Sequence, residues 1–128
     1  MNRTKLSADS KLLGKWGEKR CEKFLTRKGL TTLARNFTSK TGELDLVMAE
    51  PDGTIVFVEV KTRTDENYVA AESAFTYGKK QKLLRTARYF LSANNIADRP
   101  TRFDYVTIIL ETKGKPRINH NQNAFTSL

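Results

Sequence analysis

Gly42-Glu43-Leu44-Asp45-Leu46-Val47-Met48 and Ile55-Val56-Phe57-Val58-Glu59-Val60-Lys61, joined through Pro51-Asp52-Gly53, read as a β-hairpin. The connection suits a three-residue loop: Pro presets φ at the first turn position, Asp tolerates the second, and Gly takes the left-handed position. With that loop Glu50 faces Thr54, Asp45 lies opposite Glu59, and Glu43 lies opposite Lys61. Side chains two apart on a strand share a face, so Glu43, Asp45, Glu59 and Lys61 are expected to cluster on one side. A two-residue loop would shift the register by one and separate Asp45 from Glu59.

These charges sit in an unusual place. Val56, Val58 and Val60 line one face of the second strand, and Ile55 and Phe57 continue the other. A strand apolar on both faces reads as an interior strand, where Asp, Glu and Lys are rare unless paired or bound to a metal. Two readings stand at this point: a solvated hairpin end with a Glu59–Lys61 salt bridge, or an acidic site built into the sheet.

The chain has 128 residues, of which 38% are hydrophobic, enough for one domain with its own core. It contains no apolar run near the roughly 20 residues of a membrane span and no apolar N-terminal stretch of the signal-peptide kind. Cys21 is the only cysteine, so no intrachain disulfide forms and a structural zinc site is not expected. A cytoplasmic protein is the expectation. The net charge of +9 is unevenly spread. Residues 1–40 carry 11 basic and 3 acidic side chains, residues 41–75 carry 2 and 8, and residues 76–128 carry 10 and 3. Basic flanks suit a polyanion such as nucleic acid. An acidic centre that also meets phosphate needs a cation to offset repulsion, which favours a metal-dependent enzyme over a plain binding module.

Along the chain, residues 1–8 read as a mobile basic tail. A helix is expected from Asp9 or Ser10 to about Lys28, closed by Gly29. Leu13, Trp16, Gly17, Cys21, Phe24 and Leu25 form its apolar stripe, and Lys15, Lys19, Lys23 and Arg27 a basic ridge. Cys21 reads as a small core residue. Glu18 borders the stripe: it either pairs with neighbouring lysines or points towards the sheet, where Gly17 lets the backbones approach. Leu30 to Thr38 reads as a first strand, before the hairpin. Asp65 to Ser73, with Tyr68, is irregular and acidic, either a gating loop or a disordered connector. Thr76 caps a second helix to about Asn94, with the stripe Leu83, Leu84, Ala87, Phe90 and Leu91 and a basic face of Lys79, Lys82 and Arg85. Arg102 to Leu110 is a fourth strand and Arg117 to His120 a short fifth, with Phe125 docking on the core. His120 is given no catalytic role. A meander of strands followed by a helical crossover predicts an α/β (α+β) fold, a mixed sheet with a helix on each face.

The order helix-β-β-β-helix-β, with Asp45 on the second strand and Glu59-Val60-Lys61 on the third, resembles the PD-(D/E)XK nuclease superfamily. Within it, Gly14-Lys15-Trp16-Gly17-Glu18, Ala34-Arg35-Asn36, Gly42-Glu43-Leu44-Asp45-Leu46, Phe57 to Arg63, Arg102-Phe103-Asp104 and Asn123-Ala124-Phe125 resemble the bacterial YraN family. That family is similar to archaeal Holliday junction resolvases. The resemblance implies a restriction-endonuclease-like core in a single domain, and Glu18, Asp45, Glu59 and Lys61 as its catalytic set. Leu44 stands where the superfamily's name has Pro.

Phosphodiester hydrolysis needs an activated water, a counter-charge for the phosphorane and a cation near the leaving oxygen. Mg²⁺ prefers carboxylate and water oxygens, so Asp45 and Glu59 are its expected ligands, with Mn²⁺ as substitute. The resemblance adds the Val60 carbonyl. Glu18 is assigned to an outer position or a second ion, with Glu43 as a partial replacement. Lys61 is assigned to the attacking water or the phosphate charge. Arg35, Arg63, Lys79, Lys82 and Arg85 are the expected phosphate contacts. The implied activity is a structure-selective, resolvase-like endodeoxyribonuclease of DNA repair or recombination, acting as a homodimer on symmetric substrates. The competing expectations are a non-catalytic nucleic-acid-binding protein on the same fold and a basic adaptor for an acidic partner.

Overall fold

Asp9 starts the long first-layer helix as a capping residue should: its carboxylate accepts the N–H groups of Lys11 and Leu12 at 3.1 Å each. The computed structural model describes residues 3–64 and 76–125. Within them, α1 is Arg3–Ala8, α2 Ser10–Arg27, β1 Thr31–Ser39, β2 Gly42–Ala49, β3 Ile55–Thr64, α3 Tyr77–Ala93, β4 Thr101–Leu110 and β5 Arg117–Phe125. The expected gating segment Asp65 to Ser73 lies outside the described residues. Among the described residues no helix is long and apolar enough to cross a membrane.

The five strands form one mixed sheet in the order β1-β2-β3-β4-β5. Only β3 and β4 run parallel, and α3 lies in the chain between them, as parallel neighbours require a crossover. The expected helix-β-β-β-helix-β order is present, with one helix added before it and one strand after. Both faces of the inner strands are buried. Leu46, Met48, Val56, Val58, Val60, Val106 and Ile108 pack with Cys21 and Leu25 of α2. Val47, Ala49, Ile55, Phe57 and Phe103 pack with Leu84, Ala87, Phe90 and Leu91 of α3. The alternation of β3 between these two layers explains why its sequence is apolar on both sides. Cys21 is fully buried, and burial pushes its thiol up to about 12, so it behaves as core.

The hairpin turn follows its residues. Gly53 has φ +94°, its N–H bonds Glu50 O at 2.9 Å, and Glu50 N–H bonds Thr54 O at 2.9 Å. The register is the one expected: Leu46 pairs with Val58, Val47 with Phe57, Met48 with Val56 and Ala49 with Ile55.

Two expectations need correction. The supposed mobile tail is helical from Arg3 to Ala8, because Leu6 is buried against a patch formed with Leu13 and Leu110. The fifth strand is longer than Arg117 to His120 and pairs with β4 as far as Phe103–Phe125. Polar residues fill its extension, and what holds them is buried Asp104 of β4. That carboxylate accepts from Arg102 Nε (3.0 Å) and Nη2 (3.1 Å), from His120 Nε2 (2.7 Å) and from the Asn123 N–H (3.1 Å). Lys28 Nζ lies 3.1 Å from His120 Nδ1. An ammonium can only donate, so Nδ1 accepts and Nε2–H faces Asp104. The lone histidine is therefore a buried strut.

Candidate active site

The β2–β3 ladder stops at Leu46–Val58. Beyond it β2 remains paired with β1 as far as Gly42, while β3 remains paired with β4 as far as Thr64. The sheet thus forks where Asp45 and Glu59 stand. Backbone N–H groups left unpaired by such an opening need other acceptors, and Asp45 supplies one: its Oδ2 accepts the Val60 N–H at 2.9 Å. In a strand a residue's N–H and C=O point to the same side, so the Val60 carbonyl faces the same opening.

Simple alternation along β2 does not place Asp45 correctly. Leu44 and Val47, three residues apart, share the layer under α3, and so do Ala34 and Phe37 on β1. The alternation resets at Asn36 and Asp45, which stand across from each other between the Arg35–Leu46 and Phe37–Leu44 pairs. Asn36 has φ +50°, a left-handed conformation that Asn tolerates better than most residues. A carboxylate that accepts a strand N–H lies near the sheet plane, so Asp45 points into the fork rather than cleanly onto one face.

The other predicted residues converge there. Glu59 hydrogen-bonds Asp45, and its carboxyl is held well above the usual carboxylate range by burial, by that bond and by the Asp45 charge, against the opposing pull of Lys61 and Lys79. Lys61 Nζ lies 3.9 Å from Glu59 Oε1, at the edge of ion-pair reach. Glu18 approaches from α2. Burial, Asp45 and Glu43 raise its pKa, while a hydrogen bond with the Asn36 side chain lowers it. Gly17 makes that approach possible: a Cβ there would overlap Thr62 Oγ1 on β3. Glu18, Glu43, Asp45, Glu59 and Lys61 line one open cleft of about 800 Å³, walled on its other side by Ser7, Ser10 and Leu13. Glu59 and Lys61 are thus brought together as the salt-bridge reading required, but inside a cleft that also holds three further acidic groups, Glu18, Glu43 and Asp45.

The expected phosphate contacts divide. Arg63 lines the cleft, with Nη1 donating to Thr62 O at 2.9 Å. Lys79 and Lys82 of α3 line an adjoining cavity with Glu59 and Lys61. Arg85 is exposed on α3 and lines neither. Arg35 is held by Glu22, with Nη2 at 2.7 Å and Nε at 2.8 Å from its oxygens, although much of its side chain stays in solvent. The residue missed by sequence reasoning is Asn36, which turns the strand and binds Glu18. Its signal was present: Asn is depleted within strands, yet it stands inside one.

The donor set can be tested against Mg²⁺. Among the described residues no three Asp, Glu, His or Cys side chains close on one point. Asp45 and Glu59 lie side by side at the fork, close enough that Asp45 raises the cost of charging Glu59. Two adjacent carboxylates beside an open cleft fit a cation that keeps several of its waters and takes only one or two protein carboxylates. They do not form a closed cage of the kind that Ca²⁺ or structural Zn²⁺ uses.

A model of the uncharacterised protein family UPF0102 matches residues 17–108. A UPF0102 protein of Pelobacter propionicus is 41% identical over 118 residues, covering 91% of this chain and 84% of its own. Another from Bifidobacterium longum subsp. infantis is 40% identical over 117 residues, covering 90% of this chain and 94% of its own. Among solved structures, Pyrococcus furiosus SfsA in complex with Ca²⁺ is 15% identical with a TM-score of 0.41, over 89% of this chain and 64% of that one. That last likeness is too distant to bear on activity. The sequence matches extend across the helix, hairpin and fourth strand that build the fork, and on them the chain belongs to the uncharacterised protein family UPF0102, the YraN family whose motifs it resembles.

Proposed function

We propose that the protein is a Mg²⁺-dependent phosphodiesterase, an endonuclease acting on structured DNA. The observation that supports this reading most is the fork itself: a break in an otherwise buried sheet that puts Asp45 against Glu59, with Lys61 and Glu18 in the same cleft. A protein gains no stability from adjacent, half-buried carboxylates, so such a pair points to a function that uses a cation.

Asp45 and Glu59 hold the ion, and the Val60 carbonyl faces the same opening. When bound, Mg²⁺ supplies positive charge to the phosphate and makes water a stronger nucleophile. The Val60 N–H fixes the orientation of Asp45. Lys61 reaches the phosphate from the same strand, where its ammonium offsets charge that builds up on the non-bridging oxygens. Glu18, its pKa raised by burial beside Asp45, accepts a hydrogen bond from the attacking water. Arg63, Lys79 and Lys82 hold the phosphates on either side without reading bases.

Cleavage of an end-labelled four-way junction, a duplex and a single strand, with Mg²⁺, Mn²⁺ or EDTA, tests the proposal. Metal-dependent cutting by wild type that is lost in Asp45→Ala and Lys61→Ala is the expected result. Binding of all three DNAs without cutting of any would leave a nucleic-acid-binding protein on a nuclease fold and would sink the catalytic reading.

A further inference from the structure

We propose that the cavity between α3 and the sheet, beside Glu59 and Lys61, holds an unpaired nucleobase of the strand being cut. This goes beyond the phosphodiesterase reading but rests on it for the path of the backbone.

The cavity has a volume of about 160 Å³, close to the cavity of about 150 Å³ that accepts a benzene ring in an engineered protein core. Its α3 wall is made by Lys79, Lys82, Leu83 and Thr86, which follow helical spacing and so share one face. Leu83, the Tyr105 ring and the aliphatic stems of the two lysines make most of that surface apolar. Thr86 adds a polar point. Its hydroxyl donates to Lys82 O at 2.9 Å, and with the residue only 1% exposed it closes the floor of the cavity.

Charge identifies the occupant. An apolar slot of this size suits any flat heterocycle, but this one is also lined by Lys61, Lys79 and Lys82, which outnumber its two carboxylates, Glu43 and Glu59. A base attached to its own sugar and phosphate matches both features: the ring fills the slot and the phosphate meets the lysines. The same wall contains Glu59, so a base seated here carries its phosphate to the carboxylate pair. A paired base must first leave its stack, at a cost of a few kcal/mol that is least where pairing is already broken. The cavity therefore selects gaps, flaps, bulges and junctions over continuous duplex.

The test is equilibrium binding in metal-free buffer, so that no cleavage occurs. The probes are a short oligodeoxyadenylate and a base-free deoxyribose-phosphate strand of equal length, followed by fluorescence anisotropy. Wild type should favour the strand with bases by about tenfold, the scale of one stacked base. Thr86→Met fills the cavity with aliphatic carbon and leaves every lysine in place; it should bind both strands alike. If it does not fold, the shorter Thr86→Leu replaces it. Equal binding of the two strands by wild type, or unchanged discrimination in the filled variant, would overturn the proposal. Base discrimination by a protein that cuts nothing with Mg²⁺ would instead remove the phosphodiesterase reading and leave the pocket standing. Cutting without discrimination would do the reverse.

Discussion

Asp45 and Asp104 show what one carboxylate can do in two settings. Asp45 stands where a ladder opens, takes a single backbone N–H and faces another acid. Asp104 is enclosed and fully paired. Burial would raise its pKa, but the hydrogen bonds from His120, Arg102 and the Asn123 N–H outweigh burial and hold it below the usual carboxylate range. A depressed folded-state pKa stabilises the fold above the unfolded value of about 3.9 and ceases to do so as pH falls through the folded value. Wild-type stability should therefore drop below about pH 4, in part through Asp104, and Asp104→Asn should show a shallower acid limb in urea titrations. Asp104→Ala leaves Arg102 without its buried partner and should cost roughly 3 kcal/mol, on the order of 10 °C in Tm; a Tm within a degree or two of wild type would refute the strut role. At the fork, Lys61→Ala should lower kcat by about 10² to 10³-fold with KM little changed, as for other groups that meet charge formed in the transition state. A change confined to KM would make Lys61 a binding residue only.

At the scale of elements, α2 and β3 approach through a single contact of unusual closeness. Gly17 lies against Thr62, which is itself buried, and the next residue along the helix is Glu18. A methyl group at position 17 would overlap the Thr62 hydroxyl, so either Thr62 or the helix must move. Gly17→Ala should destabilise by about 1–3 kcal/mol, the usual cost of overpacking. Removing the hydroxyl and methyl with Thr62→Ala should restore part of that loss, and a double-mutant cycle in guanidinium measures the coupling. Additive effects would mean that the contact does not set the spacing. In the proposed mechanism the approach matters because any lift of α2 carries Glu18 away from Asp45. On the other face, α3 brings Lys79 and Lys82 over β3 while its buried stripe seals Phe57 and Phe103 into the core.

For the whole molecule, the uneven charge becomes a surface. Lys15, Lys19, Lys23 and Arg27 are all exposed along α2, and Lys79, Lys82 and Arg85 lie on α3. The acidic cleft opens beside α2 and shares Glu43, Glu59 and Lys61 with the cavity that Lys79 and Lys82 of α3 line. Phosphates approaching the cleft meet basic groups from either side, so binding should weaken steeply with salt. Replacing Lys79 and Lys82 together by Ala should reduce the slope of log Kobs against log salt on duplex DNA by about 1.8, two counterion equivalents. An unchanged slope would place the DNA elsewhere on the molecule.

The sequence by itself determined the long helices, the first four strands, the hairpin register and the grouping of Glu43, Asp45, Glu59 and Lys61. Each follows from local chemistry: the Pro51-Asp52-Gly53 loop admits one register, two-sided apolar alternation marks an interior strand, and helical spacing sorts core from basic ridge. Three features were decided by tertiary structure alone. The fork opens because β2 stays with β1 and β3 stays with β4, a choice between partners that no single strand encodes. Asp45 turns into the gap because Asn36, on a neighbouring strand, takes a left-handed conformation and resets the alternation of both. Residues 3–8 become a helix, and the tail beyond His120 a strand, because Leu6 and Asp104 are buried by groups distant in the chain. Periodicity sees only neighbours along the chain; burial and pairing depend on what the rest of the fold brings beside them.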